Sequence, residues 1–344
     1  MLFKAGERRA GRGVSGNQPA GEAIRRPAGE HNLKHLCSSS FYRLKAMQCD
    51  KCRRRAAIFQ RYSGLHLCES HVVADVEAKA KRAIRTHRWM RSGDHIAVAL
   101  SGGKDSSALL YFLTMLTAQR RDITLSAITV DEGIAGYRDP QQAVRIAESL
   151  GISCLTASFR DEYGITVDEI VAQKGDRCSC SYCGVLRRSL INRIAREHGV
   201  TKLALGFNLD DEAQSVLMNV LRGDADRILR PQREAGGMVP RIRPFIFVPE
   251  REVALYAHLH VAGVGQGRCP YAHNSLRADV RSVLNDYTLR HPSTKYSLVN
   301  IGERLADAGG TMPHEIRICK KCGEPCGATC RSCEILGEVL GSAA

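Results

Sequence analysis

The sequence predicts an α/β fold: a doubly wound parallel sheet flanked by N- and C-terminal zinc-finger modules. Three observations carry this. Short apolar runs alternate with helical patterns through the middle of the chain, an order that favours parallel strands joined by crossover helices. Two of those runs end in glycine- or acid-rich turns, and ligands in such sheets sit at the carboxyl ends of the strands. Fourteen cysteines fall largely into short C-x-x-C units, a spacing that in a chain of this size points to metal rather than disulfides.

Taken in order, residues 1–46 hold six glycines, nine Lys/Arg and three Asp/Glu with no sustained apolar period. They are expected to be a disordered basic extension, with Met47 as the natural start. Residues 47–75 are read as the first metal module, 76–300 as the catalytic domain and 301–344 as the second module and tail. A helix is expected over Val73–Met90. His95–Leu100 reads as a buried strand, Ser101–Ser106 as a turn and Ser107–Thr117 as a helix. Leu125–Val130 is the second strand. Asp139-Pro140 opens a helix, the acid capping it and the proline suiting its first turn, and Gly151 closes it. Ile152–Ser158 is the third strand. Gly184–His198 carries Leu186, Leu190 and Ile194 on one stripe, and Gly199 stops it. Leu203–Gly206 is the fourth strand and Asp210–Arg222 the next helix. Residues 223–250 read as irregular, and 251–300 as mostly helical.

The chain has 344 residues, 44% of them hydrophobic, enough for one large core and small satellites. Lys+Arg is 50 against Asp+Glu 36, a net of +14. The first 46 residues contribute 9 − 3 = +6, which leaves +8 on the remainder. A surface this basic favours polyanionic partners such as nucleic acid. With no run of 18 apolar residues and no apolar N-terminal block, no membrane association is expected. A reducing compartment, the cytoplasm, suits the thiols.

Ser101-Gly102-Gly103-Lys104-Asp105-Ser106 lies between a strand and a helix. Adjacent glycines let the backbone wrap an anion, and the helix amides then point at phosphate oxygens. Lys104 adds a charge, Ser101 and Ser106 add hydroxyls, and Asp105 suits a Mg2+-bridged pyrophosphate. The loop is not a Walker A sequence, because Asp follows the lysine and Val98 stands where the first glycine would be.

Cys180 and Cys183 open the basic helix, and Cys269 lies 269 − 183 = 86 residues on. Three thiolates suit three irons of a cubane with the fourth iron open. Spacing alone leaves two other readings: a redox dithiol beside an unrelated Cys269, or a zinc site. Cys178 is either a ligand or a bystander, while Cys37 and Cys154 read as packing residues. Asp210 and Asp211 open a helix, where acids stabilise the dipole; at a strand end facing phosphate, one of them is also a candidate magnesium ligand or catalytic carboxylate. Cys49, Cys52, Cys68 and His71 form one four-donor set and Cys319, Cys322, Cys330 and Cys333 another, each suited to closed tetrahedral zinc. Cys326 is a spare thiol in the second set, and His66 reads as a loop residue. Arg53, Arg54, Arg55, Lys320 and Lys321 offer charge to RNA phosphates.

Taken together, SGGKDS, DEGIAGYRD, CSYCGVLRR, GFNLDDEAQSVLMNVLRGD and RCPY, in this order between two metal modules, resemble the archaeal and eukaryotic-cytosolic tRNA 2-thiouridine synthetases of the TtuA/NcsA type, within the PP-loop ATP pyrophosphatase superfamily. The resemblance spans about residues 47–335. It implies a [4Fe-4S] cluster on Cys180, Cys183 and Cys269. It implies ATP bound by Ala99, Leu100 and Ser101 through Ser106, with Gly206 and Asp211 near the nucleotide and Asp211 catalytic. Arg187 stands where some members carry Lys, and since arginine does not deprotonate, a clamp on phosphate is its expected part. The resemblance further implies ATP-dependent thiolation of a tRNA uridine at C2, with sulfur from free sulfide or a ubiquitin-like carrier, and a homodimer. The rival readings are a 2-thiocytidine synthetase, another PP-loop tRNA-modifying enzyme such as a lysidine ligase, a non-catalytic zinc RNA-binding protein and a ferredoxin-like electron carrier.

Overall fold

The computed structural model describes residues 47–229, 237–265, 267–308 and 316–341. The basic extension expected over 1–46, with Cys37, lies outside them, as does the side chain of Cys178.

Nine short strands form three sheets among these residues. β1 (Ile58–Gln60) and β2 (Leu65–Leu67) make an antiparallel hairpin in the first module. β3 (His95–Ala99), β4 (Thr124–Asp131), β5 (Cys154–Ser158), β6 (Lys202–Ala204) and β7 (Arg241–Ile242) form the central sheet in the order β5-β4-β3-β6-β7, and every pairing is parallel. β8 (Arg317–Ile318) and β9 (Pro325–Cys326) pair antiparallel in the second module. The chain runs outward from β3 to β5 and then returns to lay β6 against the other side of β3. The order therefore reverses between β3 and β6, and a ligand crevice opens at such a point.

β3 shows why its apolar run is unbroken. Ile96, Val98 and Leu100 pack with Leu109, Phe112 and Leu113 on one face, while Ala97 joins Ile128, Leu186 and Leu190 on the other. Both faces are covered by helices, so alternation gives way to continuous hydrophobicity. Asp139 caps the helix Pro140–Ser149, its carboxylate accepting from the Gln141 amide at 2.9 Å.

The segment 223–250 is more regular than its composition implies. It contains the helix Ala225–Leu229 and the edge strand β7, whose two residues are too few to show a period. The third strand is followed by two short helices, Phe159–Tyr163 and Val167–Lys174. The basic helix begins at Ser179 rather than Gly184, so Cys180 and Cys183 lie within its first turns. His66 lies on β2, stacked on Phe59 at 4.6 Å, rather than in a loop. Helix Glu69–His87 runs through the expected boundary at 75/76 and helix Thr294–Ala308 through that at 300/301, so neither boundary falls in a linker.

Each terminal module braces one side of the crevice. From the first, Tyr62 donates to Glu252 at 2.7 Å and Gln60 donates to it at 3.0 Å, and Lys79 pairs with it at 2.8 Å. Glu252 is fully buried on helix Glu250–His260. From the second, Ile335 and Val339 enter the core, and the buried Glu324 accepts from Asn192 at 3.0 Å and pairs with Arg196 at 2.6 Å on helix Ser179–Glu197. Tyr182, between the two cysteines of that helix, donates to Glu338.

Candidate active site and metal centres

A crevice of about 290 Å³ opens at the switch point, and Ala99, Leu100, Ser101, Asp105, Ser106, Gly206 and Arg187 are among its lining residues. The turn after β3 is built as the sequence implies. Gly102 has φ +72°, a conformation that glycine adopts without strain. Gly103 caps helix Lys104–Thr117 with extended backbone, so the positive end of that helix faces the crevice. Ser106 Oγ accepts from the Ser101 amide at 3.0 Å and donates to the Gly103 carbonyl at 3.2 Å, which fixes the bend. Lys104 lies between Asp105 at 2.8 Å and Glu250 at 2.9 Å. Burial disfavours its charge, but the two carboxylates outweigh this and hold its pKa above the usual lysine value.

Gly206 has a packing role. A Cβ there would lie 2.8 Å from the Ser106 amide nitrogen and 2.9 Å from the Asp105 carbonyl carbon, so only glycine lets the end of β6 touch the phosphate turn. Asn208 then caps helix Leu209–Leu221, accepting from the amides of Asp210 and Asp211 at 3.0 and 3.1 Å and donating to Asp105 at 3.1 Å. The two aspartates diverge. Asp210 is buried, accepts from the Glu250 amide at 2.8 Å and pairs with Lys295. Asp211 closes the capping box to the Asn208 amide at 3.3 Å, and burial, helped by the neighbouring charge of Asp105, pushes its carboxyl up to about 6.

The opposite wall is cationic. Glu132, fully buried at the end of β4, accepts from Arg187 at 2.8 Å and Arg138 at 3.2 Å. Burial opposes the charge on Arg187, yet Cys183 and Glu132 hold its pKa above the usual range. Arg187 thus stands between the crevice and the central thiols.

Those thiols are neighbours rather than a close group. Cys180 is exposed and lies 3.5 Å from the Tyr271 carbonyl, which puts it beside the turn carrying Cys269. Cys183 and Cys269 are half-buried and pack on one hydrophobic cluster. Burial pushes the Cys183 thiol up to about 11 and raises that of Cys269, each sensing the other or its neighbour Cys180. The approach to Cys269 is tied to the phosphate turn, since the Gly265 amide donates to the Gly102 carbonyl at 2.9 Å. Tyr271 donates to Asp168 at 2.7 Å and anchors the far side.

The terminal sets are tighter. Within each of Cys49/Cys52/Cys68/His71 and Cys319/Cys322/Cys330/Cys333, all donor atoms lie within 4.8 Å of one another. The sulfur pairs Cys52–Cys68, Cys319–Cys333 and Cys322–Cys330 stand at 3.6, 3.7 and 3.6 Å. A tetrahedron with metal–sulfur bonds of about 2.3 Å has edges of about 3.8 Å, so both sets fit a single ion. Cys180, Cys183 and Cys269 form no such close group. A wider all-sulfur triangle suits a cluster whose thiolates bind separate irons.

Residues 73–284 match the PP-loop domain family, and residues 48–71 match the N-terminal LIM domain of the 2-thiouridine synthetase TtuA. The chain is 36% identical over 318 residues to the tRNA 2-thiolation protein NcsA of Haloferax volcanii, covering 85% of this chain and 99% of that one. This chain belongs to the TtuA/NcsA family of tRNA 2-thiolation proteins. It is also 35% identical over 290 residues to cytoplasmic tRNA 2-thiolation protein 1 of Drosophila erecta, covering 81% of this chain and 84% of that one. The U34-tRNA thiolase NcsA of Methanococcus maripaludis, solved with its [4Fe-4S] cluster, superimposes with a TM-score of 0.74 at 34% identity over 86% of this chain and 96% of that one.

Three residues of this TtuA/NcsA-type site escape sequence reasoning. Glu132 follows a strand directly, but nothing in its local pattern announces a carboxylate that clamps two arginines from different elements. Glu250 lies outside any motif. Asn208 stood outside the helix expected from Asp210, and its bond to Asp105 is a contact across 103 residues.

Proposed function

We propose that this protein replaces the C2 oxygen of a tRNA uridine with sulfur, consuming ATP and releasing AMP and pyrophosphate, in the cytoplasm. The reading is supported by a phosphate turn and an arginine wall that line one crevice, with Arg187 interacting with Cys183 behind that wall and the Gly265–Gly102 hydrogen bond tying the approach to Cys269 to the turn. ATP binds as its Mg2+ complex, its phosphates on the amides of 101–106, with Lys104 and Asp105 facing the pyrophosphate. The uridine oxygen bonds to the α-phosphorus as pyrophosphate leaves, and Arg187 and Arg138 steady the charge that develops there. Arg187 stays protonated throughout, so it acts as a fixed cation. Asp211, half-titrated near pH 6, is suited to take the proton that uridine surrenders. Cys180, Cys183 and Cys269 would hold a [4Fe-4S] cluster whose open iron supplies a position for a sulfide nucleophile. In the exchange as a whole, a C2–S bond replaces the C2–O bond and the oxygen departs in AMP.

The two terminal sets hold one Zn2+ each in this reading, and sulfur arrives as free sulfide or on a ubiquitin-like thiocarboxylate carrier, the protein acting as a homodimer. The test is anaerobic reconstitution followed by nucleoside analysis of tRNA incubated with ATP and sulfide. 2-Thiouridine together with AMP is the expected product. Thiocytidine would move the protein to another PP-loop activity, and absence of AMP would leave a non-catalytic RNA-binding protein.

A further inference from the structure

A second cavity, a groove of about 860 Å³, lies apart from the phosphate turn. Its walls come from the end of helix Glu69–His87 and the residues after it, β7, helix Leu209–Leu221 and helix Thr294–Ala308. Six cationic side chains line it, Arg88, Arg91, Lys202, Arg227, Arg241 and Arg243, against three carboxylates, Glu212, Glu303 and Asp307, so 6 − 3 leaves +3. Arg243 is spent on Glu212, and Arg227 is held by Asp224 at 2.9 Å. Among the described residues, no carboxylate pairs with Arg88, Arg91 or Arg241. The Nε of Arg243 is buried without a hydrogen-bond partner.

Two further features narrow the occupant. Trp89, the one tryptophan of the sequence, is half-buried in the groove wall and stacks on His87 with ring centroids 4.4 Å apart. Arg241, on the edge strand, lines both this groove and the nucleotide crevice. The arginines there crowd one another: burial, then Arg241, Arg187 and Arg227, push the Arg188 guanidinium down to about 10. Three cations without a carboxylate partner, two after helix Glu69–His87 and one on β7, beside an aromatic platform, match the repeated charge and stackable bases of a single-stranded nucleic acid.

We propose that this groove is the track for the RNA strand flanking the target nucleotide, with Arg88, Arg91 and Arg241 on its phosphates and Trp89 against a base. The inference rests on the tRNA-thiolation reading and adds where the strand runs: from the crevice past Arg241 toward Arg88.

The test uses the full chain and unmodified tRNA without ATP. Fluorescence of the single tryptophan reports the groove, while anisotropy of labelled tRNA reports total binding. Saturating tRNA is expected to quench Trp89 over the same concentration range as the anisotropy change. The double substitution R88G/R91A is placed at exposed residues, and glycine suits the left-handed backbone of Arg88, φ 53°. It is expected to weaken tRNA binding about tenfold and to lower the slope of log K against log salt by about 1.5, near 0.7 per lost phosphate contact on a single strand. R88K/R91K restores both, and ATP affinity is the same in all three proteins. Wild-type tRNA binding with Trp89 unquenched, or an R88G/R91A protein whose salt slope matches wild type, overturns the groove while leaving thiolation standing. Wild type that binds no tRNA at low salt sinks thiolation and this inference together. Quenching by polyglutamate but not by tRNA assigns the groove to an acidic protein and overturns the proposal.

Discussion

At the two ends of the chain four donors close on one point, whereas at its centre three thiols stand further apart beside a nucleotide crevice. Three pairs of terminal sulfurs stand 3.6–3.7 Å apart. Within these modules some thiols are drawn toward thiolate, Cys52 to about 7 by the Arg54 side chain, Cys319 to about 6 by the amides of Cys322 and Lys321, and Cys49 downward too, while burial raises Cys68, Cys322 and Cys333. Burial likewise pushes the central Cys183 up to about 11, so it is the spacing of the sulfurs that tells the regions apart. The contrast separates two uses of cysteine. A closed tetrahedron spends every coordination position on the protein and gives stability; an open triangle leaves one position for chemistry. The closed sets also serve the open one, because the first module reaches Glu252, two residues from the Glu250 that holds Lys104, and the second reaches Tyr182, between Cys180 and Cys183.

The sharpest way to break this comparison is to remove one thiol from each region. Cys183→Ala or Cys269→Ala is expected to lower tRNA thiolation at least a thousandfold while the melting temperature stays within about 2 °C, since neither side chain closes a structural ion. Cys322→Ser is expected to cost one bound zinc and about 5–10 °C of melting temperature, an effect of a few kcal/mol in a chain of this size. Zinc content, melting curves and thiolated nucleoside are measured on the same preparations. Full thiolation by the Cys183→Ala protein would remove the central thiols from the chemistry.

Next in size is Arg187, which joins the crevice to the thiols. Arg187→Ala removes a preorganised cation and is expected to reduce kcat about a hundredfold. Arg187→Lys recovers part of it, because the charge returns without the planar fork that grips Glu132. A loss in Lys as large as in Ala would show that the fork, rather than the charge, is what the site needs.

How much of this was readable beforehand differs between the same regions. The terminal sets were legible because a tetrahedral ion takes its donors in close pairs, so Cys49-x-x-Cys52 and Cys330-x-x-Cys333 reveal themselves in four residues. The parallel sheet was legible through the apolar runs of β3, β4 and β5. By contrast β7 has only two residues, and Glu132 matters through Arg138 and through Arg187, 55 positions away. Contacts of that span are set by topology, and no local period encodes them. Cys269 was tied to the other two thiols by family resemblance alone; from spacing, a packing cysteine was an equal reading.

A smaller effect concerns pH. Burial and Asp105 raise the Asp211 carboxyl to about 6. Asp211 accepts a proton only when ionised, so thiolation is expected to rise about tenfold per pH unit below 6 and to level off above it. Asp211→Asn abolishes that limb together with most activity. The stability sign runs the other way. An acid whose pKa is higher folded than unfolded costs stability, from nothing below about pH 4 to its full value above about 6. Asp211→Asn therefore leaves the melting temperature at pH 8 equal or higher, provided the amide oxygen keeps the cap on Asn208. A clear fall at pH 8 would mean that the cap outweighs the buried charge.

The smallest effect sharpens the comparison most finely, because it concerns a thiol inside a closed module that the ion does not use. Cys326 lies on β9 within the second set's segment but outside its four donors, and burial and the neighbouring Cys330 and Cys319 raise its thiol. A thiol kept protonated beside a complete tetrahedron has no position to fill. Cys326→Ser is accordingly expected to retain its zinc and to melt within about 1 °C of wild type, whereas Cys330→Ser loses the ion. If the two outcomes were exchanged, the donor set would be Cys319, Cys322, Cys326 and Cys333. The strand pairing of Arg317 with Cys326 would then have to give way, since a backbone held in that ladder presents Sγ outside the tetrahedron.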